Sequence, residues 1–189
     1  MSDGGHGPKH DRLVADYIDA LLHVGTAVAV AAPDDAEIPA WGRQPFLAMP
    51  LWLGGLQVAL RRAAVDGVLR WTGPEYWRRA SEGVVYKVAV HQGQSVDVLD
   101  MARIVLPRDR WVSDEESAAP AQEVVLVHGG RCGLLCDRTG EDLLLAPADV
   151  TWRTARTRCT WLAGTVGRHG CALLDPANLL MLAGLGAGE

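Results

Sequence analysis

The chain has 189 residues, a formal net charge of −5 and 49% apolar residues, a size and composition suited to one compact domain with a tail. The arginines are scattered and the balance is acidic, so no field favours nucleic acid. No apolar run nears the roughly 20 residues of a bilayer span, and MSDGGHGPKHDR lacks the apolar centre of a secretory signal, so no membrane insertion is expected and the cytoplasm is the expected compartment.

In chain order, the polar, glycine-rich first ten residues carry no periodic pattern. In DRLVADYIDALLHV, Leu13, Val14, Tyr17, Ile18, Leu21 and Leu22 recur at helical spacing with Asp16 and Asp19 off the stripe, which predicts a short amphipathic helix. Such a stripe either packs back on the body or docks in a partner's groove, which makes Leu13, Tyr17 and Leu21 candidate contacts. Residues 24–45 read as a linker, so the organisation is a flexible tail over 1–45 and a folded domain over 46–185.

From Phe46 onward, short apolar runs alternate with glycine pairs or polar turns, the pattern of an all-β barrel or sandwich. FLAMPLWL, Gly54-Gly55 and LQVALRR form a hairpin, because the glycines supply the positive φ of a tight turn. VDGVLRW continues as strand, and TGPEYWRRASEG reads as a loop that would expose Trp71 and Trp77. YKVAVHQGQSVDVLDMARIVL gives a second hairpin, in which Val96 and Val98 are expected to match Val88 and Val90 across the turn. Asp100 then stands where its carboxylate could cap the short helical turn MARIVL. After the acidic loop RDRWVSDEESAAPAQE, a third hairpin forms around Gly129-Gly130. DLLLAP, TWRTARTRCTWLAGTV and GCALL supply further strands, and Asp175-Pro176 starts a closing helix, PANLLML. Two half-size β units thus share one domain.

Little of the sequence points to chemistry. There is no phosphate loop, nucleophile elbow or zinc-type spacing, and His91 and His128 sit at hairpin turns. Alternation puts Cys132, Leu134 and Cys136 on one strand face, so the four cysteines read as reduced packing residues with no metal or cofactor role. A cysteine-dependent enzyme using Cys136 or Cys159 beside a histidine is the rival from another class. Seven tryptophans against one phenylalanine favour core and interface roles, with Trp71 a candidate anchor for a partner.

Taken in order from Phe46 to Leu182, the elements resemble the CheW family of chemotaxis coupling proteins. The resemblance is carried by VALRRAAVDGVLR, by YKVAVHQGQSVDVLDM against G-V-x-N-L-R-G-x-x-x-P-V-x-D-L, by GGRCGLLCD against G-x-x-x-G-x-x-V-D, and by CALLDPANLL against the closing L-x-x-L-x-L-x-x-L-L. It implies a mainly β fold of two side-by-side SH3-like five-stranded barrels with short helices. It also implies a non-catalytic adaptor that bridges chemoreceptor tips and the histidine kinase CheA. Val65 and Val68 fall where the family places apolar residues of a first-barrel binding surface, and Gly93 matches the turn glycine. Departures stand at Val90, Gln92 and Asp97, where the family has asparagine, arginine and proline. A glutamine amide replaces only part of the arginine's fork of donors. The tail stretch DRLVADYIDALL is similar to that of ParP-type relatives, which implies a ParA-like ATPase as a further partner and a place at the cell pole. A CheW paralogue that only pairs with itself is the remaining alternative.

Overall fold

Thirteen strands are formed among residues 38–73, 76–79, 85–106, 122–153 and 159–185, the part of the chain that the computed structural model describes. The predicted helix at Leu13–Leu22 and most of the acidic loop lie outside these residues. One sheet comprises β1 (Phe46–Leu53), β2 (Leu56–Arg61), β9 (Arg138–Thr139), β10 (Leu143–Leu145), β11 (Thr151–Trp152), β12 (Leu162–Val166) and β13 (Cys171–Leu174). Its order is β10-β1-β2-β13-β12-β11, with β9 also on β1. The other comprises β3 (Gly67–Arg70), β4 (Tyr76–Arg79), β5 (Val85–His91), β6 (Gln94–Asp100), β7 (Glu123–Val127) and β8 (Cys132–Cys136), in the order β3-β7-β8-β6-β5-β4.

Both sheets must curl. Their end strands are sequence neighbours, joined only through residues 146–150 in one and 71–75 in the other. Laid flat, six strands at about 4.8 Å spacing would separate those ends by about 24 Å. A five-residue link reaches roughly 20 Å when fully extended, and the first contains a 3₁₀ turn, Pro147–Asp149, that shortens it further. The result is two SH3-like barrels. Each has one parallel pair, β2 with β13 and β6 with β8, flanked by antiparallel hairpins. Each barrel has six strands where five are expected, and the first sheet counts seven because β9 and β10 are one strand broken opposite Pro50, which has no amide to donate. The second barrel gains β4 from the stretch expected as a loop. Tyr76–Arg79 pairs antiparallel with β5 at the sheet's end, where aromatic residues suit a pleated surface.

Most central strands are buried on both faces, which is why they read as nearly continuous apolar runs. Even-numbered Phe46 and Ala48 of β1 point into the first barrel with Ala59, Trp152, Cys171 and Leu173. Val96, Val98, Val124, Leu126 and Leu135 fill the second barrel. The alternate residues, including Leu51, Val58, Leu60, Leu99, Val125, Leu134 and Leu174, form an apolar layer between the barrels. Cys132 and Cys136 join that layer beside Leu134, as alternation predicts.

Two hairpins turn on adjacent positive-φ residues, Gly54 and Gly55 (55° and 88°) and Gln92 and Gly93 (52° and 77°), the geometry of two-residue turns that match strand twist. The second turn corrects the expected register. With His91 opposite Gln94, Val88 faces Asp97 and Val90 faces Ser95, while Val96 and Val98 lie opposite Ala89 and Lys87. Where the chain returns to the first barrel, the Asp137 carboxylate accepts the Gly54 amide at 2.6 Å. Burial raises that carboxyl above the usual range, and the Gly54 hydrogen bond offsets part of the rise.

Three further local readings are settled by packing. Residues 38–45, expected as linker, lie on the first barrel, where Trp41 meets Phe46 and Trp152 edge-on at 5.3 and 5.4 Å between ring centroids. The helix Met101–Val105 forms, but Asp100 makes no side-chain cap to it. Its carboxylate instead pairs with Lys87 and Arg103 at 3.3 and 3.5 Å. Asp175 does cap the closing helix Pro176–Leu182, accepting from the Asn178 amide at 3.4 Å.

A candidate protein-docking surface

Strand alternation decides which residues reach a partner. Leu69 of β3 packs toward the second barrel's interior, so Val68 points outward and is 41% exposed. On β5, Val88 is buried in the layer between the barrels, and Val90, two residues on along the same face, runs past that layer and is 48% exposed. Next to Val90 the turn presents Gln92 and Gly93 to solvent.

Val65 departs from expectation. It is only 8% exposed and belongs to the layer between the barrels, because the strand-to-turn segment after β2 folds inward there. Its role is packing, and Val68 alone of the two valines stands on the surface. Trp71 is half-buried against the second barrel's interior, with the Lys87 ammonium 5.9 Å from its ring centre, so it roofs a buried cation instead of projecting as an anchor. The backbone of Trp77 lies in β4 opposite Lys87. Leu13, Tyr17 and Leu21 fall outside the described residues.

A second apolar feature escaped the sequence reading. Leu47 of β1 and Leu144 of β10 are register partners and are 46% and 66% exposed. They prolong the outer face of β1 beyond Met49, Leu51 and Leu53, which are buried in the central layer. Parity within FLAMPLWL places Leu47 on that face, but only the pairing with β10 reveals where the layer stops. Beside Leu47 opens a groove that also includes Trp41, Phe46, Arg61 and Arg62.

Three of the four thiols, those of Cys132, Cys136 and Cys171, are held protonated at neutral pH by burial. Burial, reinforced by the negative charges of Glu123 and Asp137, pushes the Cys136 thiol up to about 12. Burial alone lifts Cys171 to about 11, and Cys132 is raised chiefly by burial and secondarily by Asp97. A protonated thiol is a poor nucleophile. Cys136 donates to the Glu123 carbonyl at 3.5 Å, and Cys159 packs half-buried against the central layer. His128 faces the Arg131 guanidinium at 3.1 Å in an exposed turn. Among the described residues, no group of three His, Cys, Asp or Glu side chains could hold a metal ion, and no helix is long and apolar enough to cross a membrane.

No family model and no curated protein matches the chain. Among solved structures it is similar to the scaffolding protein TtCheW from Thermoanaerobacter tengcongensis, at a TM-score of 0.53 and 14% identity, over 69% of this chain and 89% of that one. What the chain shares with that scaffolding protein is its fold, a pair of SH3-like β barrels packed side by side through an apolar layer.

Proposed function

We propose that this protein is a non-catalytic adaptor of a chemosensory signalling array. Its barrels would bind the histidine kinase CheA, chemoreceptor tips or both, in the cytoplasm and at the cell pole where such arrays gather. The observation that carries the reading is the outward placement of Val68 on a fold shared with a CheW scaffolding protein. A single apolar strand residue of this kind supports a small, weak interface. Repetition across an array would make weak contacts effective by raising the local concentration of each partner. The exposed Val90 and the Gln92-Gly93 turn would supply the receptor-facing contact. On the strength of its likeness to ParP, the stretch Leu13–Leu22 would add contact with a ParA-like ATPase.

The test is co-purification of the full chain with the CheW-like regulatory domain of a CheA kinase. Wild-type protein should be retained, and Val68→Glu should lose about 10-fold or more in affinity, as expected for burying an unpaired carboxylate at an apolar contact, with unchanged thermal unfolding. Equal retention of the two proteins would remove Val68 from the interface.

A further inference from the structure

Where residues 40–47 meet the end of β2, the first barrel has an open mouth, a groove of about 460 Å³. Trp41, Pro45, Phe46 and Leu47 give it an apolar lining, and Leu47 carries that surface on to its exposed cross-strand partner Leu144. Arg61 and Arg62 supply the two cations of the lining. Arg62 is committed to the barrel itself, because it pairs with Asp142 at 3.3 Å and donates to the Val65 carbonyl at 3.2 Å.

Arg61 is placed differently. Ala59, two residues earlier on the same face of β2, points into the first barrel, so Arg61 emerges at the barrel's end, opposite the small Ala48. There it is half-buried with its guanidinium 5.8 Å from the Trp41 ring centre, and among the described residues it meets no carboxylate. Contact with an indole face restrains a guanidinium and leaves its edge of N–H donors open to a planar acceptor. Such a cation selects a carboxylate over a neutral amide, since charge-assisted hydrogen bonds are about twice as strong as neutral ones.

We propose that this groove docks a segment of a partner protein in which a large apolar side chain stands beside a carboxylate. The apolar group settles on Trp41, Phe46 and Leu47, and the carboxylate takes the donors of Arg61. An isolated small ligand is held by a cleft that encloses most of its surface, whereas this groove is open along one side. A partner adding a strand beside β10 needs that strand's outward backbone groups, and Arg168 already donates to the Leu144 carbonyl at 2.9 Å. Recognition therefore runs through side chains. The groove belongs to the first barrel and Val68 to the second, so the inference stands or falls independently of the kinase contact.

NMR titration of the isotope-labelled full chain tests this, using a short capped peptide of leucine, alanine and glutamate and its counterpart with glutamine in place of glutamate. Shifts should gather in the Trp41 indole N–H and in the amides of residues 40–47 and 61. The glutamate peptide should bind about tenfold or more tightly than the glutamine one. Arg61→Gln should abolish that preference and keep the weaker apolar binding. Leu47→Asp, at an exposed position, should weaken both peptides while thermal unfolding stays unchanged. The proposal is overturned if neither peptide binds, if the two bind alike, if the preference survives Arg61→Gln, or if the shifts lie elsewhere. N-acetyl-leucine binding as tightly as the glutamate peptide would make this a site for a small free acid and overturn the protein partner. Sedimentation revealing a dimer that Leu47→Asp dissolves would make a second copy the occupant, with the same consequence.

Discussion

Lys87 Nζ lies 3.3 Å from Asp100 Oδ2 inside the second barrel, and Lys87 is 8% exposed, the one charged residue buried among the described residues. Both sit on strand faces that point inward, since Lys87 is opposite Val98 and Asp100 opposite Leu135. Removing the carboxylate takes the ion-pair partner from a buried ammonium, at a cost of about 3 kcal/mol. Asp100→Ala should therefore destabilise the protein strongly in urea unfolding. Adding Lys87→Met to it should recover most of the loss, because the double variant leaves no buried charge. A double variant no more stable than Asp100→Ala would refute this account.

Gly42 is the second position where a small change should have a large effect. A Cβ placed there would sit 2.2 Å from the Trp152 ring, and that ring is fixed by its Nε1 donating to the Pro147 carbonyl at 3.1 Å. Gly42→Ala should cost about 1–3 kcal/mol through overpacking and loosen Trp41 from the barrel. Denaturant unfolding measures the first effect, and faster amide exchange at residues 40–45 the second.

The buried thiols predict a loss of stability in alkali. Cys136 and Cys171 titrate at about 12 and 11 in the folded protein, against an ordinary 9.0. A folded-state pKa above the unfolded one means the stabilising form is the protonated one. The contribution is complete below pH 9 and disappears as pH rises toward the folded values. Between about pH 9 and 11, each thiol should lower unfolding free energy by up to about 1.4 kcal/mol per pH unit. Cys136→Ala should flatten that slope by one group's worth, visible in urea midpoints taken across the range.

Gln92 offers a gain-of-binding experiment on the proposed function. It sits exposed at the hairpin tip with φ 52°, where the CheW pattern carries arginine. Gln92→Arg restores a charged fork of donors, worth about 1.5–3 kcal/mol when it meets a charged acceptor. Affinity for a chemoreceptor tip fragment, measured by titration calorimetry, should rise about tenfold or more. Unchanged affinity would place the receptor contact away from this turn.

Much of this architecture could be read from local pattern. The Gly54-Gly55 turn, the Asp175-Pro176 helix start and the face shared by Cys132, Leu134 and Cys136 depend on neighbours within a few residues, and each stands as read. The misreadings share a cause, which is a distant partner that outweighs local preference. Asp100 looks like a cap until Lys87 arrives from the adjacent strand. Residues 38–45 look like linker until Trp152, 111 positions beyond Trp41, closes over them. Valine parity suggested one register for the second hairpin, and the length of its turn imposed another. The exposed pairing of Leu47 with Leu144 joins residues 97 positions apart, so neither half signals it alone.

The parallel pairing of β2 with β13 also bears on how the molecule is made. Barrel two is one unbroken stretch of chain, Gly67–Cys136, nested between the two halves of barrel one. During synthesis the nested piece is complete while its host still lacks β9 to β13. The Phe46–Arg61 hairpin must wait for Cys171–Leu174 to emerge, its greasy underside meanwhile sheltered only by whatever part of the insert has already formed. Cutting the gene at either junction would yield an autonomous insert at best and an orphaned hairpin at worst, so truncations of this protein should aggregate from the first barrel outward.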